Sequence, residues 1–481
     1  MKIFRLIVAW FVFVMMLGFP GLVQSLMAQE GHKIEVKIEG FDQKEAYLAY
    51  YYWDKQYIQD TASVTDGKFT FEGPDLLDQG VYMVVLPPSN TYFEVLIGED
   101  QEFKITTDTV DLAGNIVVEE SEENILFYQN IHLLAEKRKE VGALKEQLAN
   151  PDLDEAKKKE LNQAIQAINT EVAEGRSKIM EGEEAPLYGA LLRAMREPQI
   201  PEAPKNENGA VDSTFAFRYY KSHFFDHLPL NDYRLAKTPV YYNKIKTYLD
   251  KLTYQQPDSI IASIDNLVER ARGNPDAFQT VVGNLLNQYA GSKIMGMDAV
   301  YVHMVETYYL TGEAFWADPE QVKKMEERAL AISPTLIGRK APNLTMKDSL
   351  GQYQTLYNIK GEYTLLYFWD YDCGHCQKET PKLAKAHKKW ADKGVALYTV
   401  SINGSLDKWR ESIRKYGLSD VNVQDHERKT GFDSVYDIRS TPRLFILDKD
   451  KIIKAKHISV EQLDEILPVL MDIEEEESKS K

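Results

Sequence analysis

The sequence predicts a multidomain chain: an N-terminal antiparallel β-sandwich-like domain, a central all-α domain and a C-terminal α/β domain. Three observations predict it. Residues 31–118 hold short runs that alternate polar and apolar side chains between turn signals. Residues 120–335 carry apolar side chains at helical and heptad spacing. Residues 338–473 set a continuous apolar run, Leu365 to Trp369, among helical segments, as a strand buried on both faces would read. A length of 481 residues suits about three domains.

Hydrophobic residues make up 44% of the chain, enough for real cores. The formal net charge is −17, so no basic excess exists to neutralise phosphates, and nucleic acid is excluded as a partner. Residues 1–28 read as a signal peptide. Lys2 and Arg5 supply its charged start, Leu6 to Leu17 its apolar centre, and Ser25 and Ala28 the small residues of a cleavage site. No cysteine near this end offers a lipid anchor. The expectation is export, to the periplasm in a Gram-negative cell, with no stable membrane span after signal removal. An uncleaved membrane anchor is the alternative, and the apolar centre is short for one.

In the β part, Ile34, Val36 and Ile38 alternate onto one face. Asp66-Gly67 signals a hairpin between Ala62–Val64 and Phe69–Phe71. Val81 to Leu86 and Phe93 to Ile97 read as strands, the first ended by Pro87-Pro88. Tyr47, Tyr50, Tyr51, Tyr52, Trp53 and Tyr57 form an aromatic cluster. It offers a binding surface, but strand packing explains it more simply, because aromatics favour strands anyway.

In the helical part, Leu134, Val141 and Leu148 recur every seven residues. Leu161, Ile165, Ile168, Val172 and Ile179 continue such a seam. With the turn Asn150-Pro151-Asp152 between them, the prediction is a long antiparallel helical hairpin. Residues 197–212 read as an exposed loop. Helices are expected near 239–254, 257–272, 275–290, 297–310 and 318–332. His223 and His227 stand four apart, a metal-capable spacing on a helix, but two histidines without further ligands favour a structural role. No metal is expected.

Residues 333–340 link into the α/β part, whose first hairpin starts at Ala341. After the strand ending at Trp369, a helix is expected from Cys373 to about Lys393, stopped by Gly394. A strand over Val395–Ile402, a helix over Ser405–Tyr416 stopped by Gly417, and a hairpin of Leu444–Leu447 with Ile452–Lys456 follow. Val460–Leu470 closes the domain, and 474–481 is an acidic tail, for which no function is claimed.

Cys373 and Cys376 are the two cysteines of the whole chain. Two residues apart at a helix start, they point to one dithiol/disulfide couple. The helix dipole stabilises a thiolate at the first position, so Cys373 is the expected nucleophile and Cys376 the resolving thiol. An imidazolium at His375 favours the thiolate further and makes the pair more oxidising. Asp370 and Asp372 oppose it. A structural zinc site needs about four ligands, and no second Cys-x-x-Cys exists. A structural disulfide across two residues gains little loop entropy.

Phe368-Trp369, Cys373-Gly-His375-Cys376, Glu379, Pro381 and Ser440-Thr441-Pro442 before the strand Leu444–Leu447 together resemble the thioredoxin fold. Within it they resemble the TlpA/ResA-like thiol–disulfide oxidoreductases, and the tetrad is also similar to that of protein disulfide isomerase. The resemblance implies that Pro442 is cis and packs beside the disulfide. It implies that Glu379 moves a proton to or from Cys376; by spacing, Glu379 can share a helix face with His375 and Cys376. Pairing with His375 or Lys382 is the plainer role for Glu379. Tyr367 stands where many relatives keep a carboxylate. The two upstream parts resemble domains of unknown function attached to such proteins in Bacteroidota.

The function expected is exchange between the Cys373/Cys376 pair and protein thiols or disulfides, with no cofactor beyond that redox-active disulfide. His375 favours an oxidase or isomerase. The TlpA/ResA resemblance favours a reductase, recharged by a membrane electron donor, and that direction is preferred. A peroxidase is disfavoured by the Asp370-Tyr-Asp sequence before Cys373. A partner-binding or adaptor role, with the redox pair secondary, stays open because about two thirds of the chain lies outside the redox domain.

Overall fold

The computed structural model describes residues 31–205, 208–425 and 429–479. The signal peptide expected over residues 1–28 lies outside them. The chain forms two compact units that divide between Lys244 and Ile245.

In the unit up to Lys244, two four-stranded sheets share one core. Strands β1 (His32–Glu39), β2 (Glu45–Tyr52), β3 (Lys55–Ser63), β4 (Lys68–Gly73), β5 (Gly80–Leu86), β6 (Thr91–Ile97), β7 (Glu102–Asp108) and β8 (Val117–Glu119) form them. The sheet orders are β4-β1-β7-β8 and β3-β2-β5-β6. Ile34, Val36 and Ile38 meet Val84, Phe93 and Val95 between the sheets. The alternation of polar and apolar residues produces this arrangement, because side chains one apart on a strand face opposite ways. Two pairings differ from the sequence expectation. β1 and β7 run parallel inside an otherwise antiparallel set. Asp66 and Gly67 are left-handed and make a tight turn with a Thr65–Lys68 bridge, but its two arms diverge into different sheets. The turn chemistry is local, whereas strand partners are chosen by the core.

The aromatic cluster pairs across β2 and β3. Tyr50 and Tyr57 stack at 5.9 Å, and the Tyr51 hydroxyl donates to Glu94 at 3.0 Å. The helical hairpin forms as α1 (Glu122–Leu148) and α2 (Glu155–Glu181), capped by Ser121 and Asp154. Its seam is half-buried, with Leu161 alone fully enclosed on α2. α3 (Pro186–Ala194) and α4 (Phe215–His223) are helices that the sequence pattern does not single out. Leu187 and Tyr188 of α3 donate backbone N–H groups to the buried Glu123 carboxylate at 2.7 and 2.8 Å. α4 ends at His223, so His227 does not share its helix face; His223 stacks instead on Tyr219 at 3.8 Å.

α5 (Pro239–Lys251) leads into the second unit. There α6 (Pro257–Ala271), α7 (Pro275–Ala290) and α9 (Pro319–Ile332) follow the expected boundaries within a few residues, and α8 (Asp298–Met304) reaches its expected end through a π-helical turn over Val305–Tyr309. α6, α7 and α9 each begin with proline at the first turn, where no N–H is missed. The helical stretch expected over 120–335 is thus shared between the two units.

A seven-stranded sheet completes the second unit. Its strands are β9 (Thr345–Asp348), β10 (Tyr353–Thr355), β11 (Tyr363–Trp369), β12 (Val395–Ser401), β13 (Val421–Gln424), β14 (Arg443–Asp448) and β15 (Ile453–Lys456), in the order β10-β9-β13-β12-β11-β14-β15. β11 to β13 are parallel and the outer pairs antiparallel. All seven residues of β11 are buried. Leu365, Tyr367 and Trp369 face helices α10 (Gly374–Trp390), α11 (Leu406–Tyr416) and α12 (Leu463–Lys479); Leu366 and Phe368 face Leu344, Phe432 and Tyr436 on the other side. Each such leucine or phenylalanine contributes about 1.5–3 kcal/mol by burial. Gly394 and Gly417, both left-handed, end the first two of these helical segments. α12 runs to Lys479, past Leu470 and into the stretch expected to be a tail.

Candidate active site

Parallel strands send their following loops to one edge of the sheet, and ligands of α/β sheets bind at that edge. β11 and β12 both end there. After Trp369 the chain makes a turn in which the Cys373 N–H donates to the Asp370 carbonyl at 3.2 Å. Cys373 is the N-cap of α10 and Cys376 lies in its first turn.

Both cysteines are free thiols, and their surroundings differ. The Cys373 sulfur is partly exposed and accepts from the Cys376 N–H at 3.4 Å. Partial burial pushes its pKa up, but hydrogen bonds from Cys376 and from the His375 backbone outweigh this and hold it below the ordinary thiol value. Cys376 is fully buried. Burial pushes its pKa up to about 12, although the Asp370 N–H approaches its sulfur at 3.5 Å. At neutral pH the first sulfur is therefore the better nucleophile. His375 is exposed, and it lowers the Cys373 pKa through its backbone N–H.

Pro442 lies across the site. The Thr441–Pro442 bond is cis, and the Thr441 carbonyl stands 3.6 Å from the Cys373 sulfur. Tyr367 is buried beneath, its hydroxyl 3.1 Å from Thr380 Oγ1. Burial pushes its pKa up, and the nearby Cys376, Glu379 and Cys373 add to this. Glu379 is nearly enclosed, with 12% of its side chain exposed. It pairs with Lys382 at 2.8 Å, and Lys382 pairs in turn with Glu461 of the α12 approach at 2.7 Å. The geometry thus gives Glu379 the Lys382 partner that its plainer role required.

Sequence reasoning missed the brace on this turn. Asn403, just past β12, donates to Asp370 at 3.1 Å and to Asp372 at 3.3 Å. The Ser405 N–H donates to the Tyr371 hydroxyl at 2.8 Å. The signal was present: a loop after a parallel strand adjacent to β11 must reach the same edge. Among the described residues no group of His, Cys, Asp and Glu could hold a metal ion, and no helix is long and apolar enough to cross a membrane.

Residues 337–456 match the model of the AhpC/TSA family, 148–331 that of a domain of unknown function (DUF5106), and 32–127 that of another (DUF4369). The thioredoxin-like protein YneN of Bacillus subtilis is 31% identical over 123 residues, which cover 25% of this chain and 71% of that protein. The chain belongs to the thioredoxin-like thiol–disulfide oxidoreductases. ResA of Bacillus subtilis, a thiol-disulfide oxidoreductase, is 30% identical over 118 residues, covering 24% of this chain and 65% of that protein. A solved domain of a possible thiol-disulfide isomerase from Cytophaga hutchinsonii is 43% identical, with coverage of 31% and 99% and a TM-score of 0.29. A thioredoxin-like protein from Bacteroides caccae is 18% identical, with coverage of 57% and 98% and a TM-score of 0.44. The thioredoxin-like domain accounts for the C-terminal sheet and its two cysteines, and the family models upstream carry no named activity.

Proposed function

We propose that the protein is exported and reduces disulfides of protein substrates through Cys373 and Cys376. The observation that carries this reading is the difference between the two thiols: one partly exposed with a lowered pKa, the other buried with a raised one. The Cys373 thiolate attacks a substrate disulfide. A mixed disulfide forms, and one substrate sulfur leaves as thiolate and takes up a proton. Cys376 then gives up its proton and attacks the Cys373 sulfur. The Cys373–Cys376 disulfide forms, the second substrate sulfur leaves as a thiol, and two electrons have passed to the substrate. A membrane-bound dithiol donor restores the reduced pair.

Pro442 and the Thr441 carbonyl line the path of the substrate backbone beside Cys373, and Glu379 is the group proposed to receive the Cys376 proton. Likeness to the ResA proteins supports the reducing direction, and the leader over residues 1–28 supports the periplasm as the compartment.

The test is insulin reduction by wild type and Cys373→Ser, with the reduction potential of the pair. Activity lost in the variant and a potential near that of thioredoxin, about −270 mV, support the reading. A potential near about −120 mV reverses the direction to oxidase. Full insulin reduction by Cys373→Ser makes the redox pair secondary to a binding role. Consumption of hydrogen peroxide faster than insulin favours a peroxidase.

A further inference from the structure

A polar cavity lies in the unit from Ile245 onward, and neither cysteine lines it. Its volume is about 470 Å³, within the range of about 300–1,000 Å³ usual for small-molecule sites. Lys293, Asp298, Arg328, Arg443, Lys456 and His457 line it. Four of these are cations, in a chain whose net charge is −17.

The carboxylates nearby are already engaged. Asp298 pairs with Lys456, which is 3% exposed. Asp437, also on the wall, pairs with Arg439 at 2.6 Å. Among the described residues no carboxylate pairs with Lys293, Arg328 or Arg443. Arg328 is held in place by the Ala290 carbonyl at 2.9 Å and by the Tyr301 ring, 4.6 Å away. Arg443 donates to Ser440 at 2.7 Å. Its Nε is buried with no hydrogen-bond partner, and so is Oδ1 of Asp298. A buried polar atom left unpaired is costly. His457 adds no charge at neutral pH: burial, then Arg443 and Lys456, push its pKa down to about 4.

We propose that this cavity binds a polycarboxylate anion that also carries a hydroxyl or N–H donor, either as a free small molecule or as adjacent acidic residues of a polypeptide. The guanidinium groups of Arg328 and Arg443, which pair with no carboxylate among the described residues, take the carboxylates, since the arginine fork matches that group. The donor satisfies Asp298 Oδ1. Arg443 directly follows Pro442, so an occupant sits behind the loop that borders the Cys373 sulfur.

The test is titration calorimetry on the whole protein at pH 7 and low salt. Three probes are used: citrate, tricarballylate, which is citrate without its hydroxyl, and an N-acetylated Asp-Asp amide. Saturable binding, with citrate tighter than tricarballylate, is expected. Lys293→Gln and Arg443→Gln should each weaken it roughly tenfold, the cost of one charge-assisted contact. Lys293 is exposed, so its variant folds even where that of Arg443 does not. Lys385→Gln, a surface change elsewhere, should have no effect. Tighter binding of the peptide than of citrate assigns the site to a polypeptide, and the reverse to a free anion. No saturable binding of any probe, equal affinity for citrate and tricarballylate, or an equal loss in Lys385→Gln overturns the proposal. Binding requires no redox step, so loss of insulin reduction leaves this result untouched.

Discussion

The Cys373 sulfur and the Thr441 carbonyl oxygen lie 3.6 Å apart, across the start of α10 and the cis bond before Pro442. The thiol at the helix start is therefore set against a backbone carbonyl of the loop that leads into β14, the strand beside β11.

Alkylation should separate the two thiols. In the reduced protein at pH 7, iodoacetamide is expected to label Cys373 at least about a hundredfold faster than Cys376, because the thiolate is the reactive form. Mass spectrometry of peptides at short times checks this, and equal rates would falsify the assignment of the nucleophile.

The stability of the reduced protein should fall as pH rises between 9.0 and about 12 in a way that depends on Cys376. Its folded pKa is raised, so the folded state keeps the proton that the unfolded chain has lost. The contribution is present below the unfolded pKa and disappears as pH climbs through the folded one. Urea unfolding of wild type and Cys376→Ser across this window checks it: the difference between them should shrink with pH. For Cys373, whose pKa is lowered, the trend reverses: its contribution grows as pH rises toward the unfolded value.

Glu379→Gln should leave Cys373 labelling unchanged, slow insulin reduction by about tenfold and shift its pH profile, if the carboxylate moves the Cys376 proton. Lys382→Met serves as the control, because it removes the ion-pair partner while keeping the carboxylate. Turnover unchanged at every pH in Glu379→Gln would leave the residue as the partner of Lys382 alone.

Asn403→Ala should loosen the turn that carries Asp370 and Asp372. Two side-chain hydrogen bonds are lost, at about 1 kcal/mol each at most for such partly exposed groups. Cys373 labelling should change severalfold with little change in the melting temperature. A large drop in melting temperature with unchanged labelling would make Asn403 a general stabiliser instead.

Tyr367→Phe removes the buried hydroxyl that meets Thr380, at a cost of about 1 kcal/mol in chemical denaturation. No change in unfolding free energy would show that the Thr380 hydroxyl finds another partner.

The sequence by itself determined the elements whose causes are local. β11 is a continuous apolar run, α10 starts at the two cysteines, Gly394 and Gly417 stop their helices, and proline opens α6, α7 and α9. The expectation that Cys373 attacks first came from its place at the helix start. Tertiary structure alone decided what depends on contacts far apart in the chain. Asp66-Gly67 forms its turn from two residues, but the sheet joined by each arm is set by which core it completes. Asn403 reaches Asp370 because β12 runs parallel to β11, and Lys382, the neighbour of Glu379 on α10, also reaches Glu461 because the approach to α12 packs beside α10. The raised pKa of Cys376 and the cationic cavity around Arg443 are likewise products of burial and of charges brought together by folding, which no stretch of sequence carries within itself.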